Sequence, residues 1–121
     1  VTQLNSKEYQ ENAFKTMAKL PIRDWDEIHM VLGMVTEAGE LADVYKKYIA
    51  YINPIDYVNV KEELGDQLWY IANMCNILGW TLEELFDINI AKLKARYGEK
   101  FSEEKANNRD LLHERDVLEG K

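Results

Sequence analysis

Cysteine and proline are scarce in this sequence, positive charge is outnumbered by negative, and there is no long apolar run. A single cysteine, Cys75, cannot form an intrachain disulfide. With no signal-peptide pattern at the start, the expected compartment is a reducing cytoplasm. Cys75 sits among Met74, Ile77 and Leu78 and reads as a packed core thiol. No stretch approaches the roughly 20 apolar residues that span a bilayer, so no membrane association is expected. Fifteen Lys and Arg against 22 Asp and Glu leave a formal charge of −7. That balance argues against nucleic acid as a partner, because such binding draws its affinity from basic side chains on phosphates. It does not argue against a phosphorylated small molecule, since carboxylates attract phosphate once they hold a divalent cation.

Strand-type alternation is also missing, and β-branched residues are scattered, so the expected class is all-α. With 121 residues the chain is expected to be one domain, 1–121, whose tail from about 102 is thinner in apolar residues. Asn5 or Ser6 caps a first helix that Pro21 ends after Leu20. A second runs from Asp24 or Asp26 to about Tyr51, broken by Asn53–Pro54, with Ile28, Val31, Leu32, Val35, Ala38 and Ala42 as its inner face. A third spans about Asp56 to Leu78 and stops at Gly79. The capping box Thr81–Glu84 opens a fourth that reaches Tyr97. Ser102 could cap a fifth, short helix carrying Leu111, Leu112 and Leu118, with frayed final residues. The second and third helices are long and apolar on more than one side. The expected architecture is therefore a four- to five-helix bundle completed by homo-oligomerisation, as a homodimer or a dimer of dimers.

Two segments carry the same device. "VTEAGELADVYKKY" spaces Glu37 and Glu40 three apart, and "VKEELGDQLWY" does so with Glu63 and Asp66. Residues three or four apart share a helix face, so an antiparallel pair of helices would bring four carboxylates to one level. Unpaired, they would repel and raise one another's pKa values, whereas magnesium or manganese, which prefer oxygen ligands, removes the conflict. A solvated acidic stripe or pairing with nearby lysines would explain the same spacing. The neighbours extend the two stripes. His29, Gly33, Glu37, Glu40 and Lys47 align on the second helix, and Glu63, Asp66, Tyr70 and Asn73 on the third. Gly33 is unfavourable in a helix interior and suggests close approach by a ligand or a neighbouring helix.

These segments, "GMVTEAGELADVYKKY", "VKEELGDQLWYIANM" and "NIAKLKARYGEKFSEEKANNRDLLHER", resemble the MazG-like nucleoside triphosphate pyrophosphohydrolases, an all-α group that includes the dimeric dUTPases. The group's signature is ExxE, a spacer, then ExxD. Here Glu37–Glu40 and Glu63–Asp66 enclose twenty-two residues. The resemblance spans roughly His29 to Arg115. It implies a MazG-like bundle that cleaves nucleoside triphosphates to the monophosphate and pyrophosphate by water attack at the α-phosphorus. Glu37, Glu40, Glu63 and Asp66 are implied as Mg2+ ligands (Mn2+ would also fit) and as the catalytic set, with Glu37 the candidate base. Lys47, with Lys46 beside it, would meet phosphate oxygens. Lys92, Arg96 and Tyr97 would contact substrate, from a neighbouring subunit if the assembly requires it. Tyr70 and Asn73 fall where relatives contact nucleotide, and His29 with Trp25 would line the base pocket.

The chain departs from the tandem form in having a single ExxE–ExxD set, and it lacks the extended lobes of the larger dUTPases. The segment "PIRDWDEIH" is shorter than expected for dCTP-cleaving relatives, so base preference stays open. A di-metal redox bundle would need Glu-x-x-His pairs, and neither His29 nor His113 lies three residues after a motif glutamate. A non-catalytic helical module that binds nucleotides or a protein partner is the other alternative.

Overall fold

The computed structural model describes residues 3–121, apart from the side chain of Arg23. Among them every regular element is a helix: α1 (Ser6–Lys15), α2 (Arg23–Tyr51), α3 (Tyr57–Leu78), α4 (Leu82–Tyr97), α5 (Glu103–Asn107) and α6 (Leu111–Leu118). They pack as two compact units, residues 1–81 and 82–121. No helix among the described residues is long and apolar enough to cross a membrane.

In the first unit α1 opens with a capping box. Asn5 Oδ1 accepts from the Glu8 amide at 2.8 Å, and the Glu8 carboxylate accepts from the Asn5 amide. The helix ends at Lys15 rather than continuing to Leu20. The Thr16 hydroxyl donates to Ala13 O at 3.2 Å and accepts from Trp69 Nε1 at 2.9 Å, so that residue is held at the cap by its side chain. The chain then turns, and Asp26 Oδ1 accepts from the Leu20 amide. Asp24 and Asp26 occupy the first turn of α2, where the helix dipole favours negative charge.

Helix α2 stops at Ile52, whose φ of 54° places a β-branched residue in the left-handed region. After a five-residue connection (52–56), Asp56 caps α3 by accepting from the Val58 and Asn59 amides. So short a link makes α2 and α3 antiparallel neighbours, and theirs is the most extensive helix pairing in the protein. Gly79, at φ 77°, terminates α3 as expected.

The register of this pair is set at Gly33. A Cβ built there would lie 2.1 Å from Tyr70 Cε1, so the ring of α3 rests directly on the backbone of α2. This is the close approach that the mid-helix glycine suggested. The Gly33–Glu37 stripe accordingly faces α3. Ile28, Val31, Leu32 and Val35, expected on the inner face, are instead 46–64% exposed. The core of this unit is Ala13, Met30, Ala72 and Cys75.

Two glycines provide a matched test. Gly33→Ala should destabilise the protein by about 1–3 kcal/mol through overpacking against Tyr70. Gly65→Ala, where a Cβ meets nothing within 4 Å, should stabilise it by about 0.5–1 kcal/mol through helix propensity. Denaturant midpoints of the two variants check this, and equal effects at both sites would refute the close approach.

In the second unit α4 packs on α6 and α5. The single fifth helix of the sequence expectation is two helices. Ser102 caps α5, the Asn108 side chain bonds back to Glu104 O, and Asp110 caps a fresh start at α6. Helix α6 is formed through to Leu118. Leu111 and Leu112 are exposed, so the buried anchor of α6 is Glu114, not a leucine. Its carboxylate receives Arg96 Nη2 at 2.8 Å and Arg109 Nη2 at 2.9 Å. The two guanidinium groups, Arg109 first, hold Glu114 down at about 2.

Candidate active site between two antiparallel helices

Antiparallel packing makes residue numbers rise on α2 as they fall on α3. One turn beyond the Gly33–Tyr70 contact, Glu37 therefore faces Asp66 and Glu63. Carboxylate oxygens of Glu37, Glu63 and Asp66 lie within 4.8 Å of one another. Glu63 is only 5% exposed, and Glu37 and Asp66 are half-buried. Glu63 Oε2 and Glu37 Oε2 are both buried without a hydrogen-bond partner. Such atoms are costly unless something electropositive satisfies them.

The electrostatics report the same crowding. Glu63 is pushed from the usual carboxylate range up to about 7. The largest cause is a hydrogen bond shared with the Glu37 carboxyl, followed by burial and then the charge of Glu40. The residues fit a hard dication: three carboxylates converge, two of them each keep a buried oxygen without a partner, and a proton is held where a cation would displace it. Glu40 stands apart from the convergent trio, exposed, but near enough for its charge to act on Glu63.

Glu40 and Glu63 form the inner end of a cleft of 690 Å³ whose walls also carry Thr36, Lys47, Asn53 and Asn59. Lys47 Nζ is 2.9 Å from Asp43, and Lys46 Nζ is 3.3 Å from it. These contacts, Lys47 first, hold the Asp43 carboxyl below its ordinary range. Asn53 and Asn59 were not singled out from the sequence. Asn59 lies one turn before Glu63, so helical spacing carried the signal. Asn53 sits in the connection, where spacing carries none.

On the other side of the carboxylates the surroundings become aromatic. Tyr70 meets His29 edge-on with ring centroids 6.0 Å apart, and Trp69 at 4.9 Å. His29 Nδ1 is buried without a partner. His29 also lines an apolar cavity of 310 Å³ with Trp25, Ile28 and Leu32.

Asn73 lies on the same stripe but is fully buried against α1. Its Nδ2 donates to Ala13 O at 3.0 Å, and its Oδ1 accepts from Asn76 Nδ2. Asn76 in turn bonds Gln10. Asn73 thus lines neither the cleft nor the apolar cavity.

Lys92, Arg96 and Tyr97 stand on α4 in the second unit. Arg96 is engaged by Glu114 and lies 5.5 Å over the Tyr97 ring, and Tyr97 packs against Phe101 with centroids 5.4 Å apart. The role of Glu114 was not legible from the sequence, because nothing in its spacing marks it as the partner of two arginines.

An all-helical chain with three carboxylates converging between two antiparallel helices defines a class of protein able to hold a cation at the centre of a helical pair. The family follows from the sequence match. Residues 26–101, well over half of the chain, match the model of the MazG nucleotide pyrophosphohydrolase domain, and the chain belongs to that family. The match runs across both units. The chain is also similar to the Gene 37 protein of Mycobacterium phage L5, 33% identical over 72 residues. That alignment covers 56% of this chain and 63% of the phage protein, so less than two thirds of the relative is spanned. No solved structure matches the chain.

Proposed function

We propose that this protein is a divalent-cation-dependent pyrophosphohydrolase that converts a (deoxy)nucleoside triphosphate to its monophosphate and pyrophosphate. The observation that carries the reading is the convergence of Glu37, Glu63 and Asp66, with two buried oxygens lacking partners, inside the segment that matches the family. Glu40, at the inner end of the cleft, completes the set of four. Mg2+ is the expected cation, and Mn2+ suits the same donors. Bound there, the cation would supply positive charge to neutralise the phosphate chain.

The chain's own residues have separate tasks. Glu37, with one oxygen unpartnered, is positioned to take a proton from the water that attacks the α-phosphorus. Lys47 exchanges Asp43 for phosphate oxygens when substrate arrives, with Lys46 retaining Asp43. His29 and Tyr70 meet the nucleoside. Asn73 serves the site indirectly, by holding α3 against α1. Lys92, Arg96 and Tyr97 act on substrate of a neighbouring subunit. The exposed apolar strip of Ile28, Val31, Leu32 and Val35 supports a homodimer or dimer of dimers. The whole of 1–121 acts as one functional domain in the cytoplasm, with no role for nucleic acid or membrane.

The direct test is incubation of the purified protein with each nucleoside triphosphate and magnesium, following pyrophosphate. At least one nucleotide should yield monophosphate and pyrophosphate in equal amounts. No turnover of any canonical or damaged nucleotide would leave a non-catalytic binding module.

A further inference from the structure

Helix α1 lies outside the segment that matches the family, residues 26–101, yet it is fastened to α3, which carries two of the three convergent carboxylates. The fastening is mostly polar. Of the α1 residues only Gln10 and Ala13 are buried. Gln10 Nε2 donates to Asn76 Oδ1 at 2.9 Å and to Trp80 O at 2.8 Å, and Asn76 Nδ2 donates back to Gln10 O at 3.0 Å. Asn73 Nδ2 donates to Ala13 O, and Trp69 Nε1 donates to the Thr16 hydroxyl just past the helix end. Apolar packing tolerates sliding, whereas a satisfied set of donors and acceptors on both helices fixes one register.

That docking delivers Tyr9 to the site. Its hydroxyl donates to Gly65 O at 3.4 Å, one residue before Asp66. Hydroxyl bonds to oxygen are usually about 2.7–2.8 Å long, so this proton is weakly committed. Burial, and then the charge of Asp66, push the Tyr9 phenol above its ordinary value, so the group stays a donor at neutral pH. Asp66 lacks one. It is half-buried and converges with Glu37 and Glu63, and no described residue donates to its carboxylate. A carboxylate with no second contact is poorly fixed about its last torsion, which has a broad energy well.

We infer that Tyr9 is a positioning residue of the candidate site: with a cation bound, its hydroxyl turns from Gly65 O to one oxygen of Asp66 and leaves the other for the cation. The inference rests on the cation reading above and extends the site to a helix that precedes the matched segment. A hydroxyl proton redirects by rotation about its C–O bond, so the ring and α1 stay in place. Partners that hydrogen-bond a ligating carboxylate fix its orientation, and losing one typically costs about 10–100-fold in metal affinity.

Manganese affinity of the full chain, read from the electron paramagnetic resonance signal of the free ion, tests this without turnover. Tyr9→Phe keeps the ring and removes the hydroxyl. It should weaken manganese binding about tenfold, with a melting temperature in chelator close to that of the unmodified protein. Gln10→Ala removes two bonds that dock α1 and should do the reverse, lowering that melting temperature by several degrees with a smaller loss of affinity. In an Asp66→Asn background Tyr9→Phe should have no further effect, because the group it serves has been changed. Unchanged affinity in Tyr9→Phe, an equal or larger loss in Gln10→Ala, or additive losses with Asp66→Asn would each overturn the role. Should no nucleotide be turned over, the same split between Tyr9→Phe and Gln10→Ala still supports it while the hydrolase reading fails. An unmodified protein that binds no manganese removes both.

Discussion

Asp66→Asn and Glu40→Gln are each expected to lower pyrophosphate release by at least about a hundredfold, because in the proposed reaction each would remove a charge that holds the cation against the phosphate chain. The change is nearly isosteric, so circular dichroism and melting temperature should stay close to those of the unmodified protein. Asp43→Asn is the internal control. It also deletes a carboxylate on the α2 stripe, but one already paired with Lys46 and Lys47. Its effect should appear in the concentration dependence on nucleotide rather than in the maximal rate. Comparing kcat and KM across the three variants with magnesium decides the matter. An Asp66→Asn enzyme within about tenfold of the starting rate would remove the convergent acids from the mechanism.

The second large effect concerns pH and cation together. In metal-free protein Glu63 is raised from 4.5 to about 7. Below the unfolded value the group is protonated in both states and its contribution to stability is fully present. Between the two values the unfolded chain releases its proton while the folded chain retains it. Above the folded value the crowded charge must be carried, and that stability is lost. The melting temperature of protein stripped with chelator should therefore fall as pH rises from about 5 to about 8. Magnesium or manganese should restore it at the upper end, with release of a proton on binding. Glu63→Gln should flatten the slope and abolish the cation's effect. Glu114 does not confound the window. Its pKa is lowered, so its contribution is present above 4.5 and lost only as pH falls toward 2. A melting temperature that rises toward pH 8 without metal would contradict the clustered site.

What could be read from the sequence follows from which interactions are local. Asn5, Gly79 and Ser102 act on amides or carbonyls a few residues away, so their roles as caps and stops were legible. Glu37, Glu63 and Asp66 were legible as a group because helical spacing and a short connection dictate which side chains can meet. The end of α1 was not, since Thr16 is held by a tryptophan 53 residues away. Nor was the facing of α2. Apolar residues were expected to point inward, but the face that meets α3 is the one where Tyr70 lies on Gly33, and Ile28, Val31, Leu32 and Val35 are left exposed. Asn73 shows the limit of stripe arguments. It shares a face with Tyr70 in register, yet its amide is taken by α1, an element that spacing along α3 does not reveal.

The left-handed turn at Ile52 has a consequence for how this protein would respond to selection for hardiness. A branched side chain in that conformation resists the geometry its backbone has adopted, and glycine or asparagine would sit there with less strain. The same turn carries Asn53 and Pro54 to the rim of the cleft. A change that relaxes it should make the molecule sturdier and also shift Asn53 and Pro54 at the cleft's rim, so if the cleft takes part in the proposed reaction, durability and turnover would pull this single position in opposite directions.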